Sequence, residues 1–326
     1  MKKLVRTVAF ILFCLLFLLA GCTAQDRTDA VQDKTETEKL KVYATIYPVY
    51  DFTKKIGGEF IQLAQIIPPG ADAHNFEPSA KLLSELTQAD LIIYNGANME
   101  PWIPKVITAL GNDEGKFVNT SEEIALLEWA GEGEDDNQEE TGDHAHEHFG
   151  VDPHVWLNPL NAISQSKAIY QALSKKDPAH AVYYQSNYDN LVTELEKLDQ
   201  EYRETLQNTV HKEFIVAHAS FGYLAKEYGL TQIPIRGLTA EGEPSPTKLK
   251  QVISLAQEHG LKYIFYEPLL DPQASEVIAE ELGVQTLELN PLGNLTEEQI
   301  EQGEDYFSVM RQNLANLKIA LSGEER

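Results

Sequence analysis

The order of apolar and polar residues along the chain predicts an α/β protein with two similar halves. In the first half, short apolar runs alternate with amphipathic segments. The predicted strands are residues 40–46, 61–67, 90–94 and 116–119, and the predicted helices are residues 48–56, 78–88 and 101–110. Strands that alternate with helices in this way are typical of a parallel sheet covered by helices.

The second half of the chain repeats the alternation. Its predicted strands are residues 213–217, 231–237, 262–266 and 284–289, and its predicted helices are residues 221–228, 245–259, 272–282 and a long closing helix over 296–321. We therefore expect two α/β lobes, residues 40–158 and 211–326, joined by residues 159–210.

The most regular apolar pattern lies in the connecting segment. Apolar and aromatic residues recur there every three or four positions, at Ala181, Tyr184, Tyr188, Leu191, Leu195, Leu198, Tyr202 and Leu206. This pattern predicts one rigid helix of about 30 residues, roughly 45 Å long, which is enough to connect two lobes. The alternative is one half of an antiparallel helix pair within a single bundle.

The first 39 residues are predicted to lie outside the fold. A basic start precedes the apolar run 8–20, which is too short to span a bilayer and is typical of a secretory leader. The sequence LLAGC at its end resembles a bacterial lipobox, which implies removal of residues 1–21 and lipidation of Cys22. Residues 22–39 are polar and have no hydrophobic period, so we expect a flexible tether.

Cysteine content and charge narrow the chemistry of any binding site. The only cysteines are Cys14, within the leader, and Cys22, so the mature chain would have no disulfide and its metal sites must use nitrogen and oxygen. The formal net charge is −25. Such a surface repels nucleic acid and concentrates cations, so we expect no nucleic-acid partner.

Residues 131–150 interrupt the α/β pattern. They are rich in Asp and Glu and include three alternating histidines, His144, His146 and His148. Closely spaced imidazoles can bind zinc, copper or nickel. An acidic, His-rich tract is equally consistent with a mobile, solvated loop. The segment is therefore either an auxiliary metal-capture site or a polar loop.

Three other histidines occupy related places in the predicted topology. His74 follows the strand 61–67, His218 directly follows the strand 213–217, and His154 lies where the chain crosses between the lobes. Ligands of open parallel sheets bind beyond the carboxyl ends of the strands. The topology thus predicts one metal cleft formed by all three, although each could instead be a structural histidine.

The sequences around these histidines resemble a known family. The segments are AHNFEPS around His74, DPHVWLNP around His154, AHASFGYLAKEYGL around His218, and LTAEGEPSPTKL from Leu238. In order and spacing they are similar to the cluster A-I zinc- and manganese-specific solute-binding proteins of bacterial ABC importers (bacterial solute-binding protein family 9). Within that family they look most like the ZnuA/AdcA-like zinc branch, over nearly the whole mature chain.

The resemblance implies two α/β lobes joined by a rigid backbone helix, with Zn²⁺ held between them by His74, His154 and His218. It implies a zinc-binding lipoprotein on the extracellular face of a cell membrane, in a bacterium that we expect to be Gram-positive. That protein would deliver Zn²⁺ to an ABC permease and its ATPase, without enzymatic activity, and we expect a monomer. The acidic loop resembles one that many zinc-type members carry, where it would capture zinc weakly.

The resemblance also bears on the choice of metal. Manganese-type members have carboxylates at two of the four ligand positions, including a Glu where His218 stands. Three imidazoles favour zinc, because the harder manganese ion prefers oxygen. Many members use a carboxylate as the fourth metal ligand, and this chain has no counterpart to it. Gly293 and Asn294 stand in its place, and Ala73 precedes His74. The fourth ligand would be water, the Asn294 amide oxygen or a loop histidine.

Three rival functions remain open from the sequence. Manganese import could use the same scaffold, and a surface adhesin with structural zinc fits the lipid anchor and acidic surface equally well. A zinc enzyme would need a base such as Glu267, at the end of the strand 262–266, to act on zinc-bound water. The chain contains no HExxH or GxSxG motif, and a strand-end carboxylate is more typical of a structural hydrogen bond.

Overall fold

A computed structural model describes residues 39–113, 115–129, 150–240 and 242–323. The predicted leader, the lipidation site Cys22 and the loop histidines His144, His146 and His148 lie outside these residues. Among the described helices, none combines the length and the apolar character that a membrane crossing requires.

The first half of the chain forms a four-stranded parallel sheet. Its strands are β1 (Leu40–Ala44), β2 (Ile61–Gln65), β3 (Leu91–Tyr94) and β4 (Phe117–Asn119), in the order β2-β1-β3-β4. Its helices are α1 (Tyr47–Gly57), α2 (Ala80–Leu86) and α3 (Ile103–Ala109). These elements lie within a few residues of their predicted positions.

A small antiparallel hairpin that the sequence did not predict follows this sheet. Its strands are β5 (Glu128–Trp129) and β6 (Gly150–Val151). Gly150, which the sequence assigned to the acidic loop, therefore belongs to a strand. A short 3-10 turn, Val155–Leu157, comes soon after β6, so the hairpin leads the chain directly into the segment that contains His154.

Two helices connect the halves, α4 (Pro159–Lys176) and α5 (Ala181–Leu206), separated by the 3-10 turn Pro178–His180. The predicted long helix is confirmed as the 26-residue α5, slightly shorter than the expected length of about 30 residues. It packs against α4 and against α1 of the first half, as well as against helices of the second half. One rigid element therefore touches both halves.

The second half forms another four-stranded parallel sheet. Its strands are β7 (Glu213–His218), β8 (Thr231–Arg236), β9 (Tyr263–Tyr266) and β10 (Gln285–Glu288), in the order β10-β9-β7-β8. Its helices are α6 (Gly222–Tyr228), α7 (Pro246–Glu258) and α8 (Gln273–Leu282). In both sheets the first strand along the chain lies between the second and the third. The predicted fold class is confirmed.

The predicted closing helix over residues 296–321 is wrong in one respect, because the chain forms two helices there, α9 (Glu297–Glu301) and α10 (Tyr306–Leu321). Between them Gly303 adopts a φ of 78°, which is incompatible with a continuous right-handed helix. The side chain of Asp305 then accepts a hydrogen bond from the backbone N–H of Ser308 and starts α10. The apolar period continued through this break and concealed it.

Trp156 links the segment after His154 to the C-terminal part of the chain. Its side chain is fully buried, and its Nε1 donates to the carbonyl of Pro291 at 2.8 Å. The hydroxyl of Tyr306, at the start of α10, donates to the carbonyl of Trp156 at 2.7 Å. These bonds fix the chain around His154 relative to the loop that follows β10.

We predict that Tyr306→Phe lowers the free energy of unfolding by about 1–3 kcal/mol, because the buried carbonyl of Trp156 loses its donor. Urea denaturation followed by circular dichroism measures the change. Tyr188→Phe, on α5, is the control, since this ring stacks on Tyr170 and should tolerate loss of its hydroxyl. Equal stability of the two variants would contradict the prediction.

Candidate metal centre

His154 is held by a short segment that is fixed at several points. The backbone N–H of Asp152 donates to the carbonyl of Leu127 at 2.9 Å. The backbone carbonyl of Asp152 accepts a hydrogen bond from the Tyr223 hydroxyl, also at 2.9 Å. Asn95, at the end of β3, donates its side-chain Nδ2 to the carbonyl of Pro153 at 2.9 Å. The backbone before His154 is therefore anchored to both halves of the chain.

The Asp152 carboxylate orients the His154 ring. Its Oδ1 lies 2.8 Å from Nδ1 of His154 and also accepts the backbone N–H of His154 at 2.9 Å. A carboxylate at this distance fixes the tautomer in which Nδ1 carries the proton, which leaves the lone pair of Nε2 free for a metal.

His218 has an equivalent partner. It is the last residue of β7, and its Nδ1 lies 2.6 Å from Oε1 of Glu267, which follows β9. The same oxygen accepts the backbone N–H of His218 at 3.2 Å. Glu267 is thus a hydrogen-bond partner at a strand end, and it leaves Nε2 of His218 as the free nitrogen.

His74 lies in the loop after β2. The Oδ1 of Asp72 accepts its backbone N–H at 2.9 Å. The loop is held from the other half by Asn294, whose Nδ2 donates to the carbonyls of Pro68 and Ala71 at 2.6 and 3.0 Å.

The three imidazoles converge. Nε2 of His154 lies 3.2 Å from Nε2 of His74 and 3.3 Å from Nε2 of His218. One nitrogen from each ring lies within 4.8 Å of the other two. A tetrahedral zinc ion with bonds of 2.0–2.1 Å would separate its nitrogen ligands by about 3.3 Å. The donor set and its spacing therefore fit a zinc ion.

The predicted cleft thus contains all three predicted histidines. His154 and His218 are buried, and His74 is half-buried. They line a cavity with residues from the loops after β9 and β10, including Glu267, Asn290 and Asn294. Among the described residues, this is the one group of three or more potential ligands close enough to hold an ion.

Burial keeps the imidazoles of His74 and His154 neutral. It lowers the pKa of His74 to about 4, with a further contribution from the positive charge that His218 would carry. Burial also lowers the pKa of His154 well below its usual value, and His218 and His74 add to the effect. Neutral imidazole is the form that binds a metal, so protons compete weakly at these nitrogens.

Burial shifts the pKa of the Asp152 carboxyl in the opposite direction, upwards. Desolvation raises its pKa to about 7, although the backbone N–H of His154 favours the ionised form. A divalent cation beside His154 would stabilise the carboxylate and offset this elevation. Metal binding and the charge of Asp152 are therefore coupled through the imidazole between them.

Asn294 lines the cavity, but both polar atoms of its amide have other partners. Its Oδ1 accepts from Nε2 of Gln65 and from the backbone N–H of Leu295, both at 3.0 Å. Its Nδ2 supports the loop that leads to His74, as described above. Its role in this arrangement is to hold that loop.

Sequence reasoning found the three histidines but missed several residues that position them. Asp152 was not assigned a role, nor were Asn95 and Tyr223. The signal for Asp152 was present, because Asp-x-His occurs in both DAH and DPH, and in each the Asp accepts the histidine N–H. Asn95 and Tyr223 are distant in sequence, and only the fold brings them to this segment.

Two parallel sheets of the same strand order, one shared long helix and three convergent imidazoles define a metal-binding protein of the two-lobed solute-binding class. Comparison of the sequence with known protein families supports this assignment. Residues 42–320 match the family described as "Zinc-uptake complex component A periplasmic" (ZnuA), and the chain belongs to this family.

Individual relatives are similar over most of their length. The chain is 37% identical to the "High-affinity zinc uptake system protein ZnuA" of Bacillus subtilis over 305 residues, which cover 94% of each chain. It is 36% identical to the "Zinc-binding lipoprotein AdcA" of Streptococcus pneumoniae, over 98% of this chain and 61% of that protein. The crystal structure of the Zn(II)-bound ZnuA-like domain of S. pneumoniae AdcA superposes with a TM-score of 0.73 at 34% identity, covering 87% of this chain and 99% of that one.

We predict that Gly222→Ala weakens zinc binding at least about tenfold, because the new Cβ would lie 2.4 Å from Oδ2 of Asp152 and displace the carboxylate from His154. Calorimetry measures the affinity. Gly237→Ala is the matched control, since a Cβ there meets no atom within 4 Å. Unchanged affinity in Gly222→Ala would show that the Asp152 contact does not orient His154.

We also predict that His74 of the metal-free protein titrates near pH 4. Its lowered pKa means that the neutral ring persists throughout the neutral range and gains a proton only in acid. Two-dimensional NMR of the imidazole nitrogens, assigned with a His74→Gln variant, follows this titration. A midpoint near the ordinary value of about 6.5 would contradict the burial of His74 in the metal-free state.

Proposed function

We propose that this protein captures Zn²⁺ outside the cell and delivers it to a membrane ABC permease with its ATPase. The observation that carries the proposal is the convergence of the Nε2 atoms of His74, His154 and His218 at the spacing of a tetrahedral zinc site. Membership of the zinc-uptake component family supports the transport role. The ion is cargo, so the site must bind and release it.

Zinc is favoured over manganese by the donor set. The three convergent ligands are nitrogens, whereas the carboxylates of Asp152 and Glu267 are engaged with Nδ1 atoms and lie behind the rings. Manganese prefers oxygen ligands, and zinc accepts imidazole well. A manganese importer would need carboxylates among the convergent ligands.

The site offers binding rather than catalysis. The oxygen of Glu267 nearest the histidines already accepts two hydrogen bonds from His218. The family is a component of a zinc-uptake complex, and this role requires no chemical step on the bound ion.

We propose that residues 40–158 and 211–326 act as two lobes on either side of the connecting segment 159–210. His74 belongs to the first lobe and His218 to the second, with His154 near the crossing. A change in the angle between the lobes would separate the ligands and release the ion. The continuous helix α5, which packs on both halves, would limit such a change to a small one.

The proposed location rests on the N-terminal sequence. After removal of residues 1–21, a lipid on Cys22 would tether the protein to the outer face of the cell membrane, through the flexible segment 22–39. The similar S. pneumoniae protein is described as a lipoprotein, which supports this assignment. We propose that the protein works there as a monomer, and that His144, His146 and His148 capture zinc weakly beside the main site.

Titration of the metal-free mature protein with Zn²⁺ and Mn²⁺ by calorimetry tests the proposed function. We expect one tight zinc site, weak manganese binding, loss of the tight site in His154→Ala and its retention when residues 131–149 are deleted. Tight zinc binding that disappears with the deletion, or manganese that outcompetes zinc, would refute the three-histidine site.

Removal of the metal from the same protein samples distinguishes a transport site from the structural zinc site of an adhesin. A transport site should empty with a chelator and refill while circular dichroism shows an intact fold. A structural zinc site would unfold as the metal is removed. Unfolding on chelation would therefore favour the adhesin alternative.

A further inference from the structure

One buried carboxylate of the first half has no part in the site described above. Glu100 is 4% exposed and lies in the segment between β3 and α3. Its Oε1 accepts hydrogen bonds from the hydroxyl of Thr45, which follows β1, and from the backbone N–H of Asn95 at 2.9 Å. Its Oε2 accepts the backbone N–H of Gly96 at 3.1 Å. The carboxylate therefore joins the ends of β1 and β3, which are neighbours in the sheet.

The surroundings of Glu100 make this carboxylate costly. Burial raises its pKa to about 7, although the hydrogen bonds from Thr45, Asn95 and Gly96 favour the ionised form. Taking a carboxylate out of water is expensive, and these donors offset only part of that cost. A buried acid of this kind is more typical of a functional position than of simple packing.

The hydrogen bonds of Glu100 close a strained turn. Gly96, Ala97 and Asn98 have consecutive positive φ angles of 81°, 50° and 63°. Two of these residues are not glycine, so the left-handed backbone is strained and persists only where other contacts enforce it. Glu100 binds the N–H of Gly96, and the N–H of Met99 donates to the carbonyl of Gly96 at 3.0 Å. The carboxylate thus helps to enforce the conformation of this turn.

Both ends of the turn reach the metal site. Met99 is 1% exposed and lines the metal cavity. Asn95 is fully buried, and its Nδ2 donates at 2.9 Å to the carbonyl of Pro153, directly before His154. Its Oδ1 accepts from Nε2 of Gln165, also at 2.9 Å, so the amide cannot turn over without losing partners. The turn therefore contributes to the cavity wall and holds the backbone that carries His154.

The backbone of Asn95 determines where its side chain points. Glu100 accepts its N–H, and the hydroxyls of Thr120 and Ser121 donate to its carbonyl. With both backbone groups bound, the side-chain amide is directed at the carbonyl of Pro153. Loss of the bond to Glu100 would free one side of this backbone and let the amide move.

We propose that Glu100 is a positioning residue of the metal site. Its carboxylate fixes the turn that follows β3, and through Asn95 it fixes the carbonyl of Pro153 and the direction of the His154 ring. It acts from the first half of the chain, whereas Asp152 acts on the ring directly. The inference rests on the proposed zinc-binding function and deepens it.

A double-mutant cycle in zinc affinity tests the proposal, measured by calorimetry on the metal-free mature protein at about pH 8, above the pKa of Glu100. Glu100→Gln keeps the volume of the side chain but places an amide N–H₂ opposite a backbone N–H donor. We expect Glu100→Gln and Asn95→Ala each to weaken zinc binding about tenfold. Because both act on Pro153, the double variant should lie within about twofold of Asn95→Ala alone.

The matched control is Asp177→Asn, which also changes a carboxylate to an amide. Asp177 follows α4, and its Oδ2 lies 2.6 Å from Nδ1 of His180 and accepts the hydroxyl of Tyr184 at 2.8 Å. It does not line the metal cavity. This variant should lose stability in urea but keep the zinc affinity of the wild type. A merely structural role of Glu100 would give the same result for Glu100→Gln.

Three outcomes would overturn the proposal. The first is a zinc affinity of Glu100→Gln equal to that of Asp177→Asn. The second is an unchanged affinity of Asn95→Ala, which tests the path through Pro153 even if Glu100→Gln does not fold. The third is an additive cycle, with the double variant weakened about a hundredfold, because Glu100 would then not act through Asn95. Circular dichroism of each variant checks that the fold is retained.

The outcomes also distinguish this inference from the function on which it rests. Failure of the wild-type protein to bind zinc through His154 would overturn both. Tight binding that is lost in His154→Ala, combined with any of the three outcomes above, would overturn the role of Glu100 alone.

Discussion

Two buried hydrogen bonds, from Nδ1 of His154 to Asp152 and from Nδ1 of His218 to Glu267, determine the direction of the metal-binding lone pairs. An imidazole alone can rotate and can carry its proton on either nitrogen. A carboxylate behind the ring removes both freedoms, so the site is formed before the ion arrives. The arrangement also places two carboxyl groups behind the metal ligands, where negative charge would lower the cost of burying a divalent cation.

The fold supplies the positions from which these groups act. Both sheets are parallel and have the same strand order, so functional loops follow the carboxyl ends of their strands. His218 ends β7 and Glu267 follows β9, and these two strands are neighbours in one sheet. His74 follows β2 in the other sheet. Trp156, bound to Pro291 and Tyr306, joins the segment of His154 to the C-terminal elements. The cleft depends on this buried connection.

The sequence was sufficient for the architecture and the three histidines because both leave periodic or local signals. Apolar alternation located every strand of the two large sheets, and the period of α5 was unmistakable. The break at Gly303 was missed because the apolar period continues across it, although glycine followed by the Asp305 cap is a stop and start signal. Asn95 and Tyr223 leave no such signal, since their roles depend on contacts between residues far apart in the chain.

X-ray absorption spectroscopy at the zinc K-edge of the zinc-loaded mature protein tests the central claim most directly, because it counts the ligands of the bound ion. The account predicts at least three imidazole nitrogens at about 2.0–2.1 Å and no sulfur. It also predicts loss of one imidazole from that count in a His74→Ala variant that still binds zinc. A shell with fewer than three imidazoles in the wild type, or one dominated by carboxylate oxygen, would contradict the three-histidine site.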